Sequence, residues 1–146
     1  MSETVLALFR ASSSLIAGGD RLVAQLGLTS SRWQVLGTIV AAERAQPVAW
    51  LARDMGANRQ NVQRVVNDLM REGFVVMAPN PHHRRASLVV LTDKGREAYD
   101  RAMALAVPWM NRLASGIKVE DIEAMQRVLA SLRARLDAET GSADVA

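Results

Sequence analysis

The chain has 146 residues, 49% of them hydrophobic, which suits a single domain or a single domain with a helical extension. It contains no cysteine, no run of about 18 uncharged apolar residues and no signal-peptide start, so we expect no disulfide, no membrane partner and a cytoplasmic location. The net charge of the chain is +3. Residues 51–96 have a net charge of +4 and the rest of the chain has −1, so positive charge is concentrated in one region.

Apolar residues recur at helical spacing over residues 4–26, which predicts a long amphipathic helix that Gly27 ends. Gly18 and Gly19 lie in its middle and disfavour a helix, so we expect them to mark either a kink or the close approach of another helix. The apolar stripe is longer than a small domain needs to cover. We therefore expect part of it to pack against a second chain.

A second helix is predicted over residues 31–45, capped by Thr29 or Ser30. Its expected buried side consists of Trp33, Leu36, Ile39 and Val40. We interpret Trp33 as a core residue, and the wall of a ligand pocket is the alternative.

Two short helices with a tight turn between them are predicted next. Residues 48–55 have helical apolar spacing, and Gly56 stands where a helix ends in the left-handed conformation. Asn58 can cap the following helix, which we predict over residues 59–72 with Gly73 after it. This order of helix, stop, cap and helix predicts a helix-turn-helix motif.

The second helix of this motif has an apolar face and a polar face. The apolar positions are Val62, Val65, Val66, Leu69 and Met70. The polar face consists of Arg59, Gln60, Gln63, Arg64, Asn67 and Arg71, with Asn61 near its edge. Arg, Gln and Asn side chains read base edges in the major groove. A solvated helix face is the alternative, but the stop-and-cap turn before it favours nucleic-acid contact.

A β-hairpin is predicted after the motif. Residues 74–78 and 88–91 are β-prone runs, and Pro79, Asn80 and Pro81 between them favour a turn. The tip would carry His82, His83, Arg84 and Arg85. Arginines there suit phosphates or a narrow minor groove. Because neighbouring residues of a strand point to opposite faces, the two histidines do not predict a metal site, and we expect no cofactor.

The C-terminal part is predicted to be helical. Thr92 or Asp93 caps a helix over residues 94–115, in which Pro108 predicts a kink or break near Leu105. Residues 120–137 form the last predicted helix, and we expect the small polar tail of residues 140–146 to fray.

These segments resemble, in order and spacing, the winged helix-turn-helix of the MarR family of bacterial transcription regulators. The matching segments are residues 28–36, 48–52, 58–62, 69–75, 80–86 and 90–95. Two positions depart from the family pattern. The family usually has an acidic residue in place of His83, where it braces the wing arginine, and a polar or acidic residue in place of Trp50.

The resemblance implies a mostly α fold with a small β-wing (α+β), in which residues 29–92 bind DNA and residues 1–27 and 93–140 form a helical dimerisation part. The DNA contacts would be Asn58, Arg59, Gln60, Asn61, Gln63, Arg64, Asn67, His82, His83, Arg84 and Arg85. The expected partners are a second copy of the chain and a pseudo-palindromic operator in double-stranded DNA.

The family usually represses transcription and often responds to small aromatic or phenolic effectors. The pocket that the resemblance implies would be lined by Trp33, Trp50, Arg10 and Arg21. No catalytic motif is present, so we expect no enzyme activity. The alternative function is a dimeric winged-helix module that binds proteins without reading DNA.

Overall fold

The computed structural model describes residues 2–143, which form helices and a small antiparallel sheet. The helices are α1 Ser2–Val23, α2 Ser30–Ala41, α3 Val48–Met55, α4 Arg59–Arg71, α5 Asp93–Ala114 and α6 Val119–Ala143. The strands are β1 Gln46–Pro47, β2 Val75–Ala78 and β3 Leu88–Leu91. The predicted fold class, mostly α with a small β-wing, is confirmed. Across residues 2–143, no helix has a stretch capable of spanning a membrane.

The sheet contains a strand that we did not predict. β3 lies in the centre, with β2 on one side and β1 on the other, and Val89 is opposite both Met77 and Gln46. The prediction that the second helix reaches residue 45 is wrong, because α2 ends at Ala41. Residues before a proline avoid the helical conformation, and Gln46 precedes Pro47 and pairs with β3, so the chain must already be extended there.

The core lies between α2, α3, α4 and the sheet. Its largest fully buried side chains include Leu36, Leu51, Leu69 and Val75. Met70, which we placed on the apolar face of α4, is 44% exposed. Successive helix residues are rotated by about 100°, so Met70 lies past the edge of the arc that packs inward.

The two glycines of α1 mark a close approach of other residues, and α1 continues through them as a helix. A Cβ at Gly19 would lie 2.5 Å from Ser30 Oγ, and one at Gly18 would lie 2.9 Å from Trp109 Cζ2. The Ser30 hydroxyl donates a 2.8 Å hydrogen bond to the Ile16 carbonyl. These contacts fix α1 against the start of α2 and against Trp109 of α5.

The start of α5 is tied to the end of α4. Thr92 is the cap, since its Oγ1 accepts from the Gly95 N–H at 3.0 Å and donates to the Gly73 carbonyl at 2.7 Å. Lys94 Nζ donates to the Glu72 carbonyl at 2.6 Å. This connection fixes the start of α5 against the turn between α4 and β2.

Of the kink or break predicted near Leu105, the break does not occur, because α5 continues through Pro108. Proline removes the hydrogen bond to the carbonyl four residues earlier, and both Pro108 and Ala104 are exposed, so water can satisfy that carbonyl.

The last helix extends beyond the predicted residue 137 to Ala143. Of the tail that we expected to fray, residues 144–146 lie outside the described residues. By contacts the chain forms two compact units, with the boundary between Trp109 and Met110.

Candidate nucleic-acid interface

The turn between α3 and α4 has the predicted geometry. Gly56 ends α3 in the left-handed conformation, with φ 62° and ψ 35°. Asn58 Oδ1 accepts hydrogen bonds from the backbone N–H groups of Gln60 at 2.9 Å and Asn61 at 3.2 Å. The predicted stop and cap are confirmed. Because Oδ1 is used in the cap, the Asn58 side chain can offer an outside partner mainly the N–H groups of its Nδ2.

The outer face of α4 presents a row of polar side chains. Arg59, Gln60, Asn61, Arg64 and Asn67 are exposed, and Gln63 is half-buried. Two hydrogen bonds order the row, from Gln63 Nε2 to Asn67 Oδ1 at 2.9 Å and from Arg64 Nη2 to Asn61 Oδ1 at 3.2 Å. On the opposite face, Val62 and Val66 are buried. The helix therefore holds its donors and acceptors away from the core.

The acidic group on α4 is paired. Asp68 Oδ1 lies 3.2 Å from Arg71 Nη2, and its Oδ2 lies 3.9 Å from Arg32 Nη2. These two arginines offset the carboxylate, which would otherwise repel a polyanion.

The wing tip is closed by Asn80. Its Nδ2 donates to the Ala86 carbonyl at 2.9 Å, and its Oδ1 accepts from the His82 N–H at 3.0 Å. The side chains of His82, His83, Arg84 and Arg85 are all exposed. Among the described side chains, no carboxylate oxygen forms an ion pair with Arg84 or Arg85. His83 replaces the acidic residue that usually braces the wing arginine in the family, and no other described carboxylate braces Arg84 or Arg85 instead.

An open groove of about 880 Å³ lies between α4 and the wing. It brings together Arg59 and Gln63 of α4 with His82, His83 and Arg85 of the wing. The other predicted DNA contacts lie outside its lining; they are Asn58, Gln60, Asn61, Arg64, Asn67 and Arg84. The groove and the outer face of α4 together form a polar and cationic surface.

Sequence reasoning missed part of this lining. Arg44, Pro47 and Met77 also face the groove, and they come from the bend before β1, from β1 and from β2. Arg44 carries no local sequence signal, because only the pairing of β1 with β3 brings it beside the wing.

The four residues proposed for a ligand pocket occupy different surroundings. Trp50 is 43% exposed and lines the groove beside the wing, whereas Trp33, Arg10 and Arg21 are not part of that lining. Trp33 is half-buried against the core, and Arg10 and Arg21 are exposed on α1.

A second depression, of about 530 Å³, lies between α2, α3 and α5. It is lined by Gln34, Gly37, Thr38, Ala41, Ala42, Asp54, Met55 and Tyr99. None of these residues was predicted for a pocket. Among the described residues, no group of three or more His, Cys, Asp or Glu side chains is placed to hold a metal.

Similarity to known proteins is consistent with this geometry. A family model described as the MarR family matches residues 26–86. An uncharacterised protein of Mycobacterium tuberculosis, Rv2011c, is 34% identical over 138 residues, which are 92% of this chain and 95% of that protein. This chain belongs to the MarR family. The transcriptional activatory protein BadR of Rhodopseudomonas palustris is a further relative, 32% identical over 95 residues, which are 64% of this chain and 54% of BadR.

Solved structures of other proteins share the fold. The regulator MosR of M. tuberculosis, in complex with DNA, has a TM-score of 0.80 at 24% identity, over 92% of this chain and 96% of that chain. CouR of Rhodococcus jostii RHA1, bound to p-coumaroyl-CoA, has a TM-score of 0.78 at 24% identity, over 87% and 89% of the two chains. MarR proteins are transcriptional regulators, so the prediction that this chain is not an enzyme is confirmed.

Proposed function

We propose that this MarR-family protein binds a pseudo-palindromic DNA operator as a homodimer, represses transcription there, and is released by a small-molecule effector. The observation that carries the proposal is the polar face of α4 beside a wing tip of two histidines and two arginines. The alternative, a protein-interaction module, fits this surface less well, because the cores of protein interfaces are depleted in charged groups.

In the proposed complex, α4 enters the major groove and the wing reaches the adjacent minor groove. An α-helix fits the width of the major groove, where Arg, Gln and Asn hydrogen-bond to base edges. The negative potential of a narrow minor groove attracts arginines such as Arg84 and Arg85. MosR, which shares the fold, forms a complex with DNA, and this supports the proposal that the present chain binds DNA.

Exposed apolar side chains support the homodimer. On α1 they are Val5, Leu6, Leu8, Phe9, Leu15 and Ile16. In the C-terminal unit they are Met110, Leu113, Ile117, Val119, Met125, Val128, Leu129 and Leu136. Phe9 is 66% exposed and Leu136 is 61% exposed, so burial against a second copy would remove a large apolar area from water. A two-fold dimer would place two α4 helices about 34 Å apart, one helical turn of DNA.

The second depression is the effector site that we propose. It lies where α5 meets the winged part, and Tyr99 supplies an aromatic wall with Gln34, Thr38 and Asp54 as polar groups. A small phenol suits this lining, because its ring packs on Tyr99 while its hydroxyl donates to a carboxylate or amide oxygen. Asp54 and Met55 belong to α3, so a ligand there would act directly on the helix-turn-helix. The effector would thereby reposition α4 and release the operator.

Fluorescence anisotropy tests the DNA-binding proposal. Purified protein is titrated into a labelled duplex from its own upstream region and into a scrambled duplex, at 50 and 200 mM salt. We expect tight binding to the first duplex that weakens steeply with salt, and binding at least about a hundredfold weaker to the second. Equal, weak binding to both would contradict sequence-specific recognition and favour the protein-interaction module.

Repression and release need separate tests. A reporter gene behind the upstream region should become more active when the protein is deleted, and a fall in activity would instead assign an activator. Phenols added to the protein–duplex complex should lower its anisotropy, and this effect should be lost in a Tyr99→Ala variant that still binds the duplex.

A further inference from the structure

We infer that the groove between α4 and the wing holds one sugar–phosphate strand of the bound duplex, and that Trp50 and Arg44 contact this strand. The inference rests on the proposed DNA binding and assigns two contact residues outside α4 and the wing tip. The major and minor grooves of DNA are separated by a single backbone strand. If α4 occupies one groove and the wing the next, whatever lies between them faces that strand.

The lining has the charge that a phosphate backbone requires. Arg44, Arg59 and Arg85 lie around the groove with His82 and His83, and none of the residues lining it is acidic. Among the described side chains, these three arginines form no ion pair with a carboxylate. Unpaired arginines that face the same opening attract a polyanion, because no internal partner has to be displaced.

The lining also has an apolar part that matches the deoxyribose. Trp50, Met77, Pro47 and Pro81 lie among the cationic groups. A backbone strand alternates a charged phosphate with an apolar sugar face, so a groove with both kinds of side chain complements it. A simple anion would match only the cationic part of this lining.

Trp50 is placed for such a contact. It lies on the outer side of α3, 43% exposed, next to the buried Leu51. The guanidinium carbon of Arg53 is 5.3 Å from the centre of its ring, a cation–π distance that restrains the indole. A restrained, exposed aromatic ring can cover a sugar at small entropic cost.

Arg44 reaches the groove from the bend between α2 and β1. Gln46, two residues later, pairs with Val89 of the central strand, so the end of the bend is anchored to the wing sheet. Arg44 is thus a cationic lining residue on an anchored bend, outside α4 and the wing tip, which suits a phosphate contact.

The salt dependence of binding separates the two roles. Trp50→Ala should weaken binding to the upstream duplex about tenfold with an unchanged salt slope, because the indole carries no charge and releases no counterion. Arg44→Ala should reduce the slope of log K against log salt by about 0.9 for each bound protomer. Arg96→Ala is the matched control, since Arg96 is exposed on α5 and does not line the groove; it should bind like the parent.

A second measurement does not depend on truncating the indole. In protein labelled with 5-fluorotryptophan, the Trp50 fluorine resonance is assigned by its disappearance in Trp50→Phe. We expect it to shift and lose exposure to solvent when the upstream duplex is added. A resonance that does not move in the bound state, or Trp50→Ala and Arg44→Ala proteins that bind like the parent, would overturn this inference alone. A parent protein that binds neither duplex would overturn the proposed function and this inference together.

Discussion

At the scale of single residues, Gly95 meets a packing requirement that no side chain could satisfy. A Cβ at this position would lie 2.0 Å from the Phe74 carbonyl oxygen and 2.8 Å from Leu91 Cδ1. The carbonyl is backbone and cannot move aside as a flexible side chain could. The absence of a side chain at Gly95 thus allows the first turn of α5 to pack on the strand that leads into the wing.

Gly95→Ala should therefore destabilise the protein by about 3 kcal/mol, the upper end of the usual range for overpacked sites that force a backbone shift. Urea unfolding followed by circular dichroism measures the change. Gly37→Ala is the control. A Cβ at Gly37 would contact only the Tyr99 ring, at 3.4 Å, and the substitution replaces a glycine within a helix. We expect Gly37→Ala to be neutral or stabilising by up to about 1 kcal/mol. Equal stability of the two variants would contradict the packing argument.

Arg64 and Arg85 are the arginines that we expect to dominate operator binding. Arg64→Ala should cost about 1–3 kcal/mol and relax specificity at one base pair, as for a lost base contact. Arg85→Ala, if it removes a phosphate contact, should weaken all duplexes alike and lower the salt slope by about 1 for each protomer. Anisotropy with the upstream duplex and single-base variants distinguishes these patterns. Two variants that bind like the parent would show that the reading surface lies elsewhere.

At the scale of elements, the position of α4 depends on how its first turn is capped. Asn58 Oδ1 accepts from two backbone N–H groups of this turn, and those donors would otherwise lack partners within the helix. Arg59 and Gln60 follow immediately, so a frayed first turn would displace polar side chains that we assign to the DNA. Stability and binding are thus coupled through one cap.

Asn58→Ala should lower the free energy of unfolding by about 1 kcal/mol and weaken operator binding. Asn58→Asp keeps the accepting oxygen and should retain stability, while its added negative charge should still weaken binding to DNA. Comparison of thermal unfolding with anisotropy separates the two effects. If Asn58→Ala were as stable as the parent, the cap would not hold α4.

At the scale of the whole molecule, apolar surface on α1 and on the C-terminal unit gives the chain a reason to associate. The first residues of α1 form an apolar stripe that is exposed in the single chain, although the same helix is buried at Gly19 and Val23. A stripe that continues beyond the contacts of its own domain is typical of an interface.

Phe9→Glu should shift the proposed dimer to monomer, because the interface would have to bury an unpaired carboxylate. Ala11→Glu is the matched control, since residue 11 lies on the other side of α1, about 200° around the helix from Phe9. Light scattering at micromolar concentration measures both. A well-folded monomer of the parent protein would contradict the homodimer.

Local sequence patterns were sufficient for most elements of this protein. Helical spacing, Gly56 and Asn58 predicted α3, its end and the cap of α4, because these features depend on residues within a few positions of one another. The β-prone runs and Asn80 similarly predicted the wing. The order of these segments was also sufficient to suggest the MarR family.

Long-range contacts decided the rest. The pairing of Gln46 with Val89 ended α2 early, created β1 and brought Arg44 to the groove, and residues so far apart in the chain leave no local pattern. Exposure of Pro108 and Ala104 allowed α5 to continue through a proline that the sequence predicts to be disruptive. Local spacing determines which elements form, whereas the burial and approach of distant segments determine where they end and which side chains share a surface.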